Sequence, residues 1–172
     1  MAADHALDGE VVLRNIREAQ DGARSNYAKA LKEITEGEKV SHWIWFVWPC
    51  LAPIRTTSRP EFSLPDLACA EAYLKDPVLS ERLQEITQVA AGHLRQGVKP
   101  FKLFGSAVDA EKFCETMTLF SVVALEAGLR EQAEVFLEAL HAMDWPLNTK
   151  TIEYLAEEGG LPRYGSCKNP ED

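Results

Sequence analysis

Residues 37–50 have the sequence GEKVSHWIWFVWPC, which holds three of the four tryptophans of the chain and one of its four histidines. Every residue of the run Trp43–Trp48 is apolar, so the run is interior, either as a buried strand or as a short buried helix. Each aromatic side chain in it can bury about 150–250 Å² of surface. We therefore expect the chain to pack around this run, the aromatic block, and we expect a pocket at its polar end, marked by Lys39, Ser41 and His42.

The size and charge of the chain limit its class. With 172 residues, of which 46% are hydrophobic, it is long enough to build its own core. We predict one helical domain over residues 1–160 and a flexible tail over residues 161–172. A formal charge of -9 disfavours nucleic acid and anionic membrane surfaces as partners, because both require a basic face. The sequence lacks an apolar run near the roughly 20 residues of a membrane span, and it lacks a signal-peptide pattern, so we predict a soluble, cytoplasmic protein.

Helical periodicity dominates the chain. Apolar residues three and four positions apart over residues 10–36 predict one long amphipathic helix that Gly37 ends. Further helices follow from residue 66 onward, with N-terminal caps predicted at Asp76, Ser106 and Asn148. Because alternating strand patterns are lacking, we predict an all-α fold, a compact array of about six to seven helices.

Neither the cysteines nor the histidines have the spacing of a metal site, so we predict no metal and no cofactor. Without a secretory signal, we expect free thiols rather than disulfides. The residues concerned are Cys50, Cys69, Cys114, Cys167, His5, His42, His93 and His141.

Several short sequence motifs occur in an order that chance alone rarely produces. They include Arg17-Glu18-Ala19-Gln20, Gly37-Glu38-Lys39, Ser41-His42-Trp43-Ile44-Trp45-Phe46, Glu71-Ala72-Tyr73-Leu74, Phe104-Gly105-Ser106 and Thr116-Met117-Thr118-Leu119-Phe120. Over roughly residues 10–157 the chain resembles domain-of-unknown-function family eighteen-ten (DUF1810), all-α proteins sometimes mislabelled calpastatin. The resemblance implies the fold, but it implies no reaction and no catalytic residue.

The chain departs from that family pattern at two places. The pattern has a glutamine and then a Gly-Leu-Gly-like turn where this chain has Cys50 followed by residues 51–55, LAPIR. It also has two serines where this chain has Glu115 and Thr116. If the turn belongs to a ligand site, the resemblance implies that the site is altered here.

An irregular segment follows the aromatic block. Residues 51–65 contain three prolines, which oppose a regular helix, and long loops in compact domains are often functional. Arg55 and Arg59 flank three hydroxyl residues, of which Ser58 is one, and such a set can bind a phosphate or a carboxylate. The alternative is that the segment is a solvated loop without a ligand. It lacks the glycine pattern of a Walker-type phosphate-binding loop.

Other candidates have both a functional and a structural interpretation. His42 can act as an acid, a base or an anion donor, or it can be a structural histidine. The block's tryptophans can stack on a planar ligand, although most are expected in the core. Asp109 and Lys112, one helical turn apart, are expected first as a surface ion pair and second as lining of the pocket.

Two hypotheses remain. In the first, a small anionic or nucleotide-like ligand binds beside the block, with His42 the best candidate for any catalytic role. Its ligand-binding residues are Lys39, His42, Trp43, Arg55, Ser58 and Arg59. The alternative is a protein-interaction or adaptor domain with a purely structural aromatic block and an unidentified partner. The sequence shows no complete set of nucleophile, base and oxyanion donors, so it leaves open whether the protein is an enzyme.

Overall fold

A computed structural model describes residues 7–158. Between these residues the chain forms nine α-helices and no β-strand, and seven of the helices have nine or more residues, which confirms the predicted all-α fold. The helices are α1 (Gly9–Gln20), α2 (Tyr27–Thr35), α3 (Ile44–Val47), α4 (Leu67–Lys75), α5 (Pro77–Arg95), α6 (Pro100–Leu103), α7 (Ala107–Glu126), α8 (Arg130–Met143) and α9 (Thr149–Glu157). The predicted tail, residues 161–172, lies outside the described residues.

The prediction of one helix over residues 10–36 is wrong. Helix α1 ends at Gln20, and α2 begins only at Tyr27. The side chain of Asn26 accepts the backbone N–H of Lys29 at 2.8 Å, and it donates to the carbonyl of Gly22 at 2.9 Å. Asparagine in this position caps a new helix instead of continuing the old one. Both helices bury apolar residues in the same core, which explains why the periodicity runs across the break.

Helix α7 is the centre of the molecule. Its residues from Phe113 to Ala124 are all buried, so neighbouring elements surround this part of the helix on every side. Helices α4, α6, α8 and α9 all contact α7. The first two turns and the last turn of α7 reach the surface. None of the helices within residues 7–158 combines the length and the apolarity required to cross a membrane.

The aromatic block is a short buried helix, α3, together with its flanking residues. The ring of Trp48 packs edge-on against Phe104 at 5.5 Å and against Phe113 at 4.8 Å between centroids. Its indole N–H donates to the hydroxyl of Thr87 on α5 at 3.1 Å. Each edge-to-face pair contributes about 0.5–1.5 kcal/mol beyond its buried area. The block therefore joins α5 to the start of α7.

The loop after the block is closed at its base. Leu51 and Leu64 form an isolated parallel bridge, in which the N–H of Ala52 donates to the carbonyl of Leu64 at 2.8 Å and the N–H of Leu64 donates to that of Cys50 at 2.9 Å. One turn of 3-10 helix, Pro60–Phe62, interrupts the irregular segment. The loop places Arg55 beside α7, where its guanidinium pairs with Glu111 and Glu115.

Candidate functional site

A buried carboxylate orders the polar end of the aromatic block. Glu33 on α2 is 8% exposed, and its carboxylate accepts the backbone N–H of Ser41 at 3.0 Å, the Ser41 hydroxyl at 2.6 Å and the indole N–H of Trp43. Burial alone would raise the pKa of Glu33, but these donors and the N–H of Val40 outweigh it and lower the pKa below its ordinary value. Glu33 is therefore ionised at neutral pH and fixes the segment from residue 40 to residue 43.

Two of the predicted ligand-binding residues are interior. Trp43 is 0% exposed, and the side chain of Lys39 is 6% exposed. The ammonium of Lys39 lies 2.9 Å from Oδ2 of Asp109 on α7 and 5.2 Å from the centroid of the Trp43 ring. Lys39 thus already has a close counter-ion, and neither residue presents a surface to a ligand in this conformation.

Lys112 lies one helical turn beyond Asp109 and pairs with it at a longer distance than Lys39 does. Its side chain is only 13% exposed, and its Nζ is 3.9 Å from Oδ1 of Asp109. Lys39 binds Oδ2 of the same carboxylate closely. Asp109 is therefore the shared counter-ion of two largely buried lysines. The two lysines lie near the N-terminal end of α7, where the helix dipole is positive. This group of three charges has a net charge of +1, and within residues 7–158 the carboxylate that lies within 4 Å of Lys112 is shared with Lys39.

Trp45 is the tryptophan of the block that reaches the surface at this place. It is half-buried, and two cations lie over its ring: Lys112 Nζ is 5.6 Å from the ring centroid, and Cζ of Arg59 is 5.7 Å from it. Arg59 also lies over Phe62 at 5.1 Å, and its Nε donates to the carboxylate of Glu61 at 2.6 Å. The exposed ring of His42 is 6.4 Å from that of Trp45. We call Trp45, His42, Arg59 and Lys112 the Trp45 cluster.

Arg55 is occupied by carboxylates. Its guanidinium donates from Nε and from another nitrogen to the two oxygens of Glu115, both at 2.8 Å, and it lies 3.2 Å from Glu111. The hydrogen bonds to Glu115, whose side chain is 3% exposed, raise the pKa of Arg55. The two departures from the family pattern therefore meet in space, since Glu115 pairs with the turn that follows Cys50. Burial raises the pKa of the Cys50 thiol beside this pair.

The structure thus divides the predicted site. It places His42 and Arg59 each beside the Trp45 ring, leaves Ser58 exposed on the loop, and gives Lys39, Trp43 and Arg55 partners within the protein. Lys112 and Trp45 were weaker candidates in the sequence, because the spacing of Asp109 and Lys112 suggests a simple helix-surface pair. Within residues 7–158, no three His, Cys, Asp or Glu side chains form a group suited to a metal ion.

Comparison with known proteins extends the resemblance to the whole fold. A family model described as "Protein of unknown function (DUF1810)" matches residues 11–146. The chain is also similar to the conserved hypothetical protein Rv1873 from Mycobacterium tuberculosis, whose crystal structure is known at 1.38 Å. The two are 27% identical with a TM-score of 0.72, and the match covers 86% of this chain and 98% of that one. No protein with curated annotation matches the chain.

Proposed function

The chain belongs to the DUF1810 family, whose function is unknown, and from the geometry of the Trp45 cluster we propose that it binds a small anionic ligand through a phosphate or carboxylate group. Lys112 supplies the principal charge, Arg59 and His42 supply hydrogen-bond donors, and Trp45 forms an apolar wall. Whether the protein also catalyses a reaction on that ligand is a separate question, for which His42 is the best-placed acid or base.

The burial and incomplete pairing of the Lys112 ammonium carry the proposal. Removing an ammonium group from water is costly unless it is paired and hydrogen-bonded. Within residues 7–158, the carboxylate within 4 Å of Lys112 belongs to Asp109, at 3.9 Å, and Lys39 holds the same carboxylate more closely. An oxyanion beside Lys112 supplies the missing partner, and the positive end of α7 adds to the attraction.

Arg59 can exchange its partner for a ligand. Its side chain is 47% exposed and that of Glu61 is 38% exposed. An ion pair this exposed contributes only about 0–1 kcal/mol, so a ligand oxyanion can replace Glu61 at little cost. A nucleotide-like ligand also requires the Arg59 side chain to move, because Arg59 lies over the Trp45 ring on which the base would stack. In this proposal Lys39, Trp43 and Arg55 support the site from inside, and they do not touch the ligand.

Thermal unfolding in low salt tests the proposal, with inorganic phosphate, citrate, AMP and adenosine as probes. A ligand at ten times its Kd stabilises the folded state by about 1.4 kcal/mol, which raises the Tm by roughly 3–6 °C for a chain of this size. We expect a rise with at least one of the anions. Adenosine, which lacks the phosphate, should have a smaller effect than AMP.

Two lysine substitutions locate the binding. Lys112→Met removes the charge and keeps the aliphatic stem, whereas Lys29→Met removes an exposed charge near the start of α2 that is not part of the Trp45 cluster. The proposal requires the shift in Tm to vanish in Lys112→Met and to persist in Lys29→Met. Equal shifts in both variants would place the anion elsewhere.

A separate feature favours the alternative, a protein-interaction domain. An apolar groove with acidic side chains lies at the other end of α7, where Glu126 ends the helix. Grooves of this kind accept amphipathic segments of other proteins.

A further inference from the structure

The groove lies among helices α4, α7 and α9 and has a volume of about 310 Å³. This is at the lower end of the range for ligand-binding cavities. Its apolar lining consists of Leu67, Ala68, Val122, Val123, Ala127 and Leu155. Val122 is 8% and Val123 is 7% exposed, so a side chain placed in the groove contacts the edge of the main core.

The groove is electronegative for two reasons that act together. Glu71 and Glu126 line it, on α4 and α7 respectively. Glu126 is the last residue of α7, a 20-residue helix with no basic side chain in its last turn. The negative end of the helix dipole is therefore reinforced by a carboxylate instead of being balanced by a cation.

Within residues 7–158, the cation that forms an ion pair with a carboxylate of the groove is Lys75. Lys75 pairs with Glu71 at 2.9 Å, but the two side chains are 59% and 44% exposed, and such surface pairs are weak. On the adjacent helix, burial raises the pKa of Tyr154, and the carboxylates of Glu158 and Asp66 raise it further. The side of the molecule formed by α4 and α9 thus holds more acidic groups than the two that line the groove.

We propose that this groove binds a basic amphipathic segment of a partner protein. The segment's apolar side chains enter the groove between Ala68 and Val123, and its lysine or arginine side chains pair with Glu71 and Glu126. Charge complementarity selects the occupant, because an apolar floor between acids on two helices matches an apolar anchor flanked by cations. The net charge of -9 also speeds the approach of a basic partner.

This surface is independent of the Trp45 cluster. Val123 is eleven positions after Lys112 in the same helix, which corresponds to about 16 Å along its axis. Substitutions in the groove therefore leave the anion site intact, and the two proposals can fail separately.

The test uses the full-length protein and a synthetic 14-residue helical peptide of leucine and lysine in amphipathic order, followed by fluorescence polarisation. A peptide with glutamate in place of every lysine is the control for charge. We expect saturable binding of the lysine peptide and none of the glutamate peptide. The proposal is overturned if the lysine peptide does not bind.

Three variants separate the groove from the acidic surface in general. Ala68→Trp fills the groove from an exposed position without changing the charge, and we expect at least about tenfold weaker binding because the apolar anchor is excluded. Glu126→Gln should weaken binding roughly threefold, since exposed charges contribute modestly. Glu134→Gln, an exposed acid on α8, is the matched control and should have no effect.

Two further results would overturn the inference. One is wild-type affinity in both Ala68→Trp and Glu126→Gln, which would mean that the peptide binds non-specifically to an acidic protein. The other is self-association of the protein that Ala68→Trp abolishes in sedimentation experiments, which would identify the occupant as a second copy of this chain.

Discussion

The carboxylate of Glu33 provides the sharpest prediction about stability. In Glu33→Ala, the indole N–H of Trp43 stays 0% exposed and loses its acceptor, which costs about 1–3 kcal/mol. The two donors of Ser41, a half-buried residue, can turn to water and cost about 1 kcal/mol together. We therefore expect a loss of about 3 kcal/mol in the free energy of unfolding, out of the 5–15 kcal/mol that is typical of a domain.

Urea unfolding at pH 7, followed by circular dichroism, measures this loss. Glu36→Ala, an exposed acid that ends the same helix, is the control and should change the free energy by less than about 0.5 kcal/mol. A double-mutant cycle with Trp43→Phe isolates the contact, and the coupling should exceed about 1 kcal/mol. A loss below about 1 kcal/mol in Glu33→Ala, or no coupling to Trp43, would refute the reasoning.

The same contact has a pH dependence of known sign. The hydrogen bonds lower the pKa of Glu33 in the folded state below its ordinary value of 4.5, so the folded state binds the proton less readily than the unfolded state. The stability from Glu33 is therefore fully present above about pH 5 and is lost as the pH falls through the folded-state pKa. The gap in unfolding free energy between wild type and Glu33→Ala should be constant near neutrality and should narrow in acid. A gap that widens in acid would contradict this sign.

Three further predictions concern other parts of the molecule. Gly105 has φ 81°, and a Cβ at this position would lie 2.8 Å from the carbonyl oxygen of Lys39. We therefore expect Gly105→Ala to lower the free energy of unfolding in urea by at least about 1–3 kcal/mol. An unchanged free energy of unfolding would contradict this. Arg55→Ala leaves the 3%-exposed carboxylate of Glu115 unpaired and should lower the free energy of unfolding by about 3–5 kcal/mol. The double variant Arg55→Ala/Glu115→Ala should lose less, because it leaves no buried charge at this position. A larger loss in the double variant would be inconsistent with a buried ion pair. Burial raises the pKa of the Cys69 thiol to about 11, so Cys69→Ser should not change the rate at which a disulfide reagent labels the native protein at pH 8.

Local signals predicted most of the fold. The caps at Asp76, Ser106 and Asn148 are correct, because each side chain accepts backbone N–H groups two or three residues ahead. These contacts depend only on neighbouring residues, so they can be inferred without tertiary structure. The break between α1 and α2 was missed because both helices face one core, and the apolar spacing continues across it. Asn26 and Gly22 were the signals that could have shown the break.

The site was less predictable because it depends on contacts between distant residues. No sequence signal near Lys39 or Asp109 indicates that the two residues form an ion pair. This pair nevertheless weakens the interaction of Asp109 with Lys112. Likewise, Trp43 and Trp45 belong to one apolar run, and only the packing of the single-turn helix α3 decides which ring is buried. The sequence predicted an anion site at this end of the aromatic block, but it could not show that Lys112 shares the carboxylate of Asp109 with Lys39.

An NMR titration of the ¹⁵N-labelled protein with inorganic phosphate at low salt tests whether the Trp45 cluster binds an anion. We expect saturable shifts of the Trp45 indole N–H and of the Lys112 backbone amide. The indole N–H of Trp48, bound to Thr87 in the core, should not move. In Lys112→Met the Trp45 signal should no longer respond. Shifts of Trp45 that grow linearly to high phosphate concentration, or that persist in Lys112→Met, would contradict an anion site at this end of α7.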